Sequence, residues 1–178
     1  MRPPVTGPAA EEMRQFFGRY GAFLQLWQTY ELMLEVLIMR ALRLSPIETS
    51  ILCGSLNYSA KSNMLFALLK LKNAHPTAVA ALREAQAIAD RNDFVHSFLT
   101  HAEGIVSMHL VRRDVKGGKY KVDIREVNTA KMQKHGDEFQ SAFQKAADLN
   151  RVRDEDVDAY VLEIESHAQG FLGAQRDT

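Results

Sequence analysis

The chain has 178 residues, 46% apolar and 25% charged, a size and balance that fit one globular domain and exclude a fibrous repeat or wholesale disorder. Its 22 basic and 22 acidic side chains cancel, so no overall field draws it to nucleic acid or an anionic membrane, and any nucleic-acid site must be local. A lone cysteine, Cys53, excludes an internal disulfide and fits a reducing, cytoplasmic setting.

Residues 1–8 hold three prolines and no apolar run, so they are expected to form a flexible lead-in rather than a signal peptide. A single helical domain is expected over residues 9–178. From Ala9 to Leu44 there is no proline, and Tyr20, Phe23, Leu24, Trp27, Tyr30, Leu34, Leu37, Ile38 and Leu42 recur at helical steps, which predicts one long amphipathic helix. Gly18 and Gly21 weaken its start. The run from Leu32 to Leu44 is interrupted by Glu35, Arg40 and Arg43 and is shorter than the roughly 20 residues of a membrane span, so no membrane partner is expected.

Ser45-Pro46-Ile47-Glu48 has the form of a capping box with proline in the first turn, so a second helix is predicted to start there and to break near Gly54. Helical spacing resumes from Ala60 to Lys72. Pro76 opens another helix, whose stripe of Val79, Leu82, Ala85, Ile88 and Ala89 is expected to continue into Arg91-Asn92-Asp93-Phe94-Val95-His96. Beyond Gly104 the period becomes two on both sides of Lys116-Gly117-Gly118-Lys119, which predicts a β-hairpin at about residues 104–125. Helices are predicted again over 129–149 and 154–171, the second opened by Asp154-Glu155-Asp156, acids that suit a helix N-terminus. The fold class read from this pattern is all-α, an up-and-down helical bundle with one inserted β-hairpin.

The segment able to carry chemistry is Arg91 to His96. Four residues separate Asn92 from His96, which on a helix sets them on one face, while Arg91 reaches the imidazole only through its length. The Arg-Asn-x-x-x-His pattern late in a helix, after long helices, resembles the HEPN superfamily, whose hallmark is an Arg and a His a few residues apart with a polar residue after the Arg. The resemblance extends over residues 9–172 as an order of helices, its specific part being this short motif. It implies a bundle that dimerises with the motifs facing each other and a metal-independent endoribonuclease, by analogy a toxin or defence effector with an antitoxin or other protein partner. On that resemblance His96 activates the RNA 2′-hydroxyl or protonates the leaving oxygen, Arg91 stabilises phosphate charge and Asn92 positions groups. An imidazole exchanges protons near neutral pH and a guanidinium stays charged against phosphate, which suits those roles. Read without the resemblance, Arg91, Asn92 and Asp93 are a solvated helix face and His96 a packing residue. The alternative function is a non-catalytic HEPN-like interaction or nucleotide-binding module.

The hairpin adds Arg112, Arg113, Lys116, Lys119, Lys121 and Arg125 against Asp114 and Asp123, a local excess of four positive charges that could hold RNA phosphates or simply keep a sheet edge soluble. His96, His101 and His109 show no recognised ligand spacing, so no metal and no cofactor are expected. Cys53, Trp27, Met33, Met39 and Met64 sit in apolar stretches and are expected in the core or at a dimer surface.

Overall fold

A computed structural model of the chain describes residues 7–89, 98–101, 108–116 and 119–174. The elements are α1 (Pro8–Leu42), α2 (Pro46–Gly54), α3 (Tyr58–Leu71), α4 (Pro76–Ala89), β1 (Phe98–His101), β2 (Met108–Lys116), β3 (Lys119–Val127), α5 (Thr129–Asn150) and α6 (Asp154–Ala174). Six helices thus dominate the described residues, and the class is all-α with an inserted hairpin, as the spacing predicts. No helix among the described residues is long and apolar enough to cross a membrane.

Local chemistry explains most boundaries. The Ser45 side chain accepts from the Glu48 backbone and the Glu48 carboxylate accepts from Ser45 N–H, so the predicted capping box opens α2. That helix stops at Gly54, where a break is expected, and Asn57 caps α3 by accepting from Ala60 N–H at 3.0 Å. Gly18 and Gly21 do not interrupt α1.

Three of the helix ends share a feature with no glycine to announce it. Arg43, Asn73 and Arg151 follow α1, α3 and α5 with φ of 59°, 52° and 53°. In each case the next N–H reaches back five residues: Leu44 to Met39, Ala74 to Leu69, and Val152 to Ala147. These are left-handed caps that turn the chain sharply into the following helix start. Asn tolerates that conformation, whereas a longer L side chain is strained there.

Two compact units are present. The first holds α1 up to Trp27, the sheet, and α5 up to Ser141. Its core is aromatic: Phe23 lies 5.7 Å from Phe139, Trp27 lies 5.8 Å from the same ring, and Phe16, Val127 and Met132 are buried with them. The sheet is antiparallel in the order β1-β2-β3. β2 and β3 form the predicted hairpin, shifted slightly later than the expected range, with Lys116 paired to Lys119. β1 is an addition to the sequence reading, because four residues are too few to display a period.

The second unit is a helical bundle containing α1 from Gln28, α2, α3, α4 as far as Ala85, α5 from Ala142, and α6. Met33, Leu34, Glu35, Val36, Leu37 and Ile38 are all buried, so this stretch of α1 is enclosed on every side. Around it, Tyr30 donates to the Leu82 carbonyl at 2.9 Å and meets the Phe143 ring edge-on at 6.0 Å. Asn150 donates to the Ala78 carbonyl at 3.2 Å, and Arg40 bridges to Asp156 at 2.8 Å and to the Arg151 carbonyl at 2.7 Å. The acidic start of α6 therefore serves both the helix dipole and this bridge.

Arg151 is exposed and conformationally strained, so Arg151→Gly is expected to stabilise the chain by about 0.5–1 kcal/mol, the relieved strain exceeding the added chain entropy of glycine. Chemical denaturation followed by helical circular dichroism measures this, and a loss of stability would contradict the account of the turn.

Candidate functional site

Arg91, Asn92 and His96, and the expected helix through them, lie outside the described residues. What is described is their surroundings along the chain: α4 ends at Ala89 and β1 begins at Phe98. Phe98, two residues beyond His96, pairs with Val111, the residue before Arg112.

The hairpin register sorts the predicted basic residues. Arg112 is paired with Asp123, Asp114 with Lys121 and Lys116 with Lys119, so Arg112, Lys116, Lys119 and Lys121 occupy positions of one face. Arg113, paired with Val122, belongs to the opposite face together with Ile124 and Glu126. Charge alone puts these five and Arg125 in a single group of six. The alternation of the strand separates Arg113 from the other five, Arg125 being paired with Leu110 on the lysine face. Lys116 lies directly across from Lys119 in the register.

A second cluster, in the bundle unit, escaped the sequence reading. Lys61 of α3 donates from Nζ to Glu35 at 2.5 Å and to Glu31 at 3.0 Å, both on α1, and Tyr160 of α6 donates to the other Glu35 oxygen at 2.7 Å. Glu35 and Lys61 are only 9% and 8% exposed. Burial alone would lower the Lys61 pKa, but the Glu35 and Glu31 hydrogen bonds and charges outweigh it, and the net shift is upward. Burial, with the Glu35 contact added, also raises the Tyr160 hydroxyl. Cys53 is sealed beside them, and burial followed by the Glu35 charge pushes its thiol up to about 11 against the opposing Lys61 charge. It is therefore a poor nucleophile and behaves as the small buried hydrophobe expected of it.

With Glu35, Lys61 and Tyr160 buried and mutually satisfied, this cluster fits a structural role. One signal for it was present in the sequence, a carboxylate inside the apolar run after Tyr30 with a second carboxylate one turn earlier. The cation 26 residues away was not legible.

The clefts of the described residues include two that are open. One of about 620 Å³ in the first unit is lined by Glu11, Glu12, Arg19, Asn128 and Gln133, and its mixed charges give it no strong field. The other, about 390 Å³ in the second unit, has an apolar floor of Leu32, Val157 and Val161 beside Asp154 and Asp158. Among the described residues no three His, Cys, Asp or Glu side chains gather as a metal site would require. Comparison with known proteins finds no matching family model, no matching curated protein and no matching solved structure.

Removing Lys61 strands Glu35 inside the bundle. Lys61→Met is expected to cost about 3–5 kcal/mol, and Lys61→Met combined with Glu35→Leu distinctly less, because the double variant leaves no lone buried charge of that pair. Equal losses in a denaturation series would refute the pairing.

The same groups set an alkaline limit. Cys53, Tyr160 and Lys61 all titrate higher folded than unfolded, so their stabilisation is complete below their unfolded values of 9.0, 10.0 and 10.5 and declines as pH rises through the folded ones. Unfolding free energy is expected to fall from about pH 9 upward, and Cys53→Ala should delay the onset. A flat profile between pH 8 and about pH 11 would contradict this sign.

Proposed function

We propose that the chain is a metal-independent endoribonuclease of the HEPN type, acting as a homodimer in the cytoplasm as a toxin or defence effector, with an antitoxin or other protein partner to restrain it. The observation that supports this best is the adjacency of two features read separately from the sequence. The Arg91, Asn92 and His96 motif runs almost directly into β1, and β1 pairs with β2 beside Arg112. Two residues of chain span at most about 7 Å, so a phosphodiester held at the motif has neighbouring nucleotides within reach of the cationic face.

The chemistry follows from the groups. One imidazole takes the proton of the RNA 2′-hydroxyl, whose oxygen attacks the adjacent phosphorus. The P–O5′ bond breaks, and a second imidazole, from His96 of the other copy, protonates the departing 5′-oxygen. The products are a 2′,3′-cyclic phosphate and a free 5′-hydroxyl. Arg91 stabilises the charge that accumulates on the phosphoryl oxygens, and Asn92 orients the reacting groups. Arg112, Lys116, Lys119 and Lys121 neutralise flanking phosphates in a salt-dependent way.

Cleavage of a mixed-sequence RNA in excess chelator tests this, with the wild type compared to His96→Ala. The expected outcome is 2′,3′-cyclic phosphate ends from the wild type and a rate lower by about 10²-fold or more in the variant. Equal rates would remove His96 from the mechanism. Salt-dependent RNA binding with no cleavage by the wild type would favour the non-catalytic module.

A further inference from the structure

Two features meet in the cleft of about 390 Å³ between α1 and α6 of the bundle unit. Its floor is apolar: Val157 is buried, Leu32 and Val161 are half-buried, and Leu162 at its edge stands 61% exposed. Its rim is acidic, from Asp154 and Asp158, both exposed. Asp154, Asp158 and Leu162 follow one another at steps of four along α6, so carboxylates and an apolar side chain form one stripe beside that floor.

The helix dipole accounts for only part of this charge. α6 carries six acidic side chains and no Lys or Arg. The stabilising effect of the dipole is confined to the first turn, Asp154 to Asp156, and Arg40 also holds Asp156 at 2.8 Å. Asp158 lies beyond that turn and next to the exposed Leu162, a place where neither helix formation nor packing calls for an acid.

From these positions we infer that the α1–α6 cleft is a docking groove for a basic amphipathic helix of a partner protein. Charge complementarity selects the occupant. Lysines or arginines of such a helix meet Asp154 and Asp158, while its apolar residues at steps of three and four settle on Leu32, Val161 and Leu162. The same carboxylates turn away RNA and an anionic membrane. A small cation is less suited, because pockets for small molecules enclose most of the ligand surface and this cleft is open along its length. From Asp154 to Leu162 the groove follows α6 for about 12 Å, a little over two turns, so a docked helix places only a few anchors in it. Association of micromolar strength is the result. The inference goes beyond the proposed function and does not depend on it, the groove lying wholly in the bundle unit.

Fluorescence anisotropy on the full chain, without RNA, provides the test. The probe is a labelled synthetic helix of about 14 residues made of Leu and Lys, its leucines on one face. The wild type is expected to bind it with a micromolar Kd that weakens as salt is added, and to bind a Leu/Glu counterpart at least tenfold less tightly. Asp158→Lys should weaken the Leu/Lys helix about tenfold and strengthen the Leu/Glu one, an inversion that an unfolded variant would not give. Leu162→Ser should weaken binding about fivefold with no change of charge. Both positions are exposed, where substitutions are well tolerated. Equal binding of a scrambled Leu/Lys peptide with no apolar face would reduce the effect to general attraction and overturn the assignment. Binding unchanged by either substitution would also overturn it, as would self-association of the wild type that Leu162→Ser abolishes, which would make a second copy the occupant. A chain that cleaves RNA but ignores the Leu/Lys helix would end this groove and leave the nuclease reading standing. A chain that binds the helix but never cleaves would do the reverse.

Discussion

Burial of Glu35 is the constraint around which the helical unit is organised. Because Met33 to Ile38 are enclosed on all sides, no rotation of α1 could take that carboxylate to solvent without exposing several apolar side chains. A buried ionised carboxylate is tolerable only with a close cation and filled hydrogen-bond sites, and Lys61 and Tyr160 provide both. Three helices are thereby held at one point by directional contacts, where apolar packing alone would allow sliding. Such a pair adds little net stability over a well-packed apolar replacement, and its value lies in fixing which helix faces which. Cys53 on α2, sealed at the same place, extends the enclosure to a fourth helix.

The corners of the bundle are fixed by the same economy of means. Arg43, Asn73 and Arg151 end their helices in left-handed caps, and a new helix begins within three residues each time, at Pro46, Pro76 and Asp154. Proline is suited to the first turn because its missing N–H has no partner to lose there. The Arg40 bridge to the Arg151 carbonyl and to Asp156 holds one such corner from outside, linking a strained residue to the helix that follows it. Strain of about 1–2 kcal/mol per left-handed residue is small beside the packing that short connections permit.

Much of this architecture was legible because it depends on local rules. Ser45 to Glu48 announced α2, Gly54 its end, Pro76 the start of α4, and alternation around Gly117-Gly118 the hairpin. What escaped was non-local or too short to show a period. The partner of Glu35 lies in another helix, β1 has four residues, and the arginines in left-handed caps carry none of the usual glycine signal. The candidate site divides in the same way. The basic residues of the hairpin were found by charge, but their separation into Arg113 and the other five required a register, which follows from pairing rather than from composition. The Arg91, Asn92 and His96 motif lies outside the described residues, so its reading still rests on residue type, spacing and the elements on either side.

The hairpin bears on the proposed function through its strand pairing. β1 pairs with β2 only as far as Val111, so the ribbon from Arg112 to Asp123 has two strands and no third beside it among the described residues. A two-stranded ribbon is marginal in water, because one face of side chains is too little to offset the entropy of ordering the backbone. A ligand held along the register positions of Arg112, Lys116, Lys119 and Lys121 would offset part of that entropy, so on the proposed function RNA binding and the order of the ribbon are linked with the same sign.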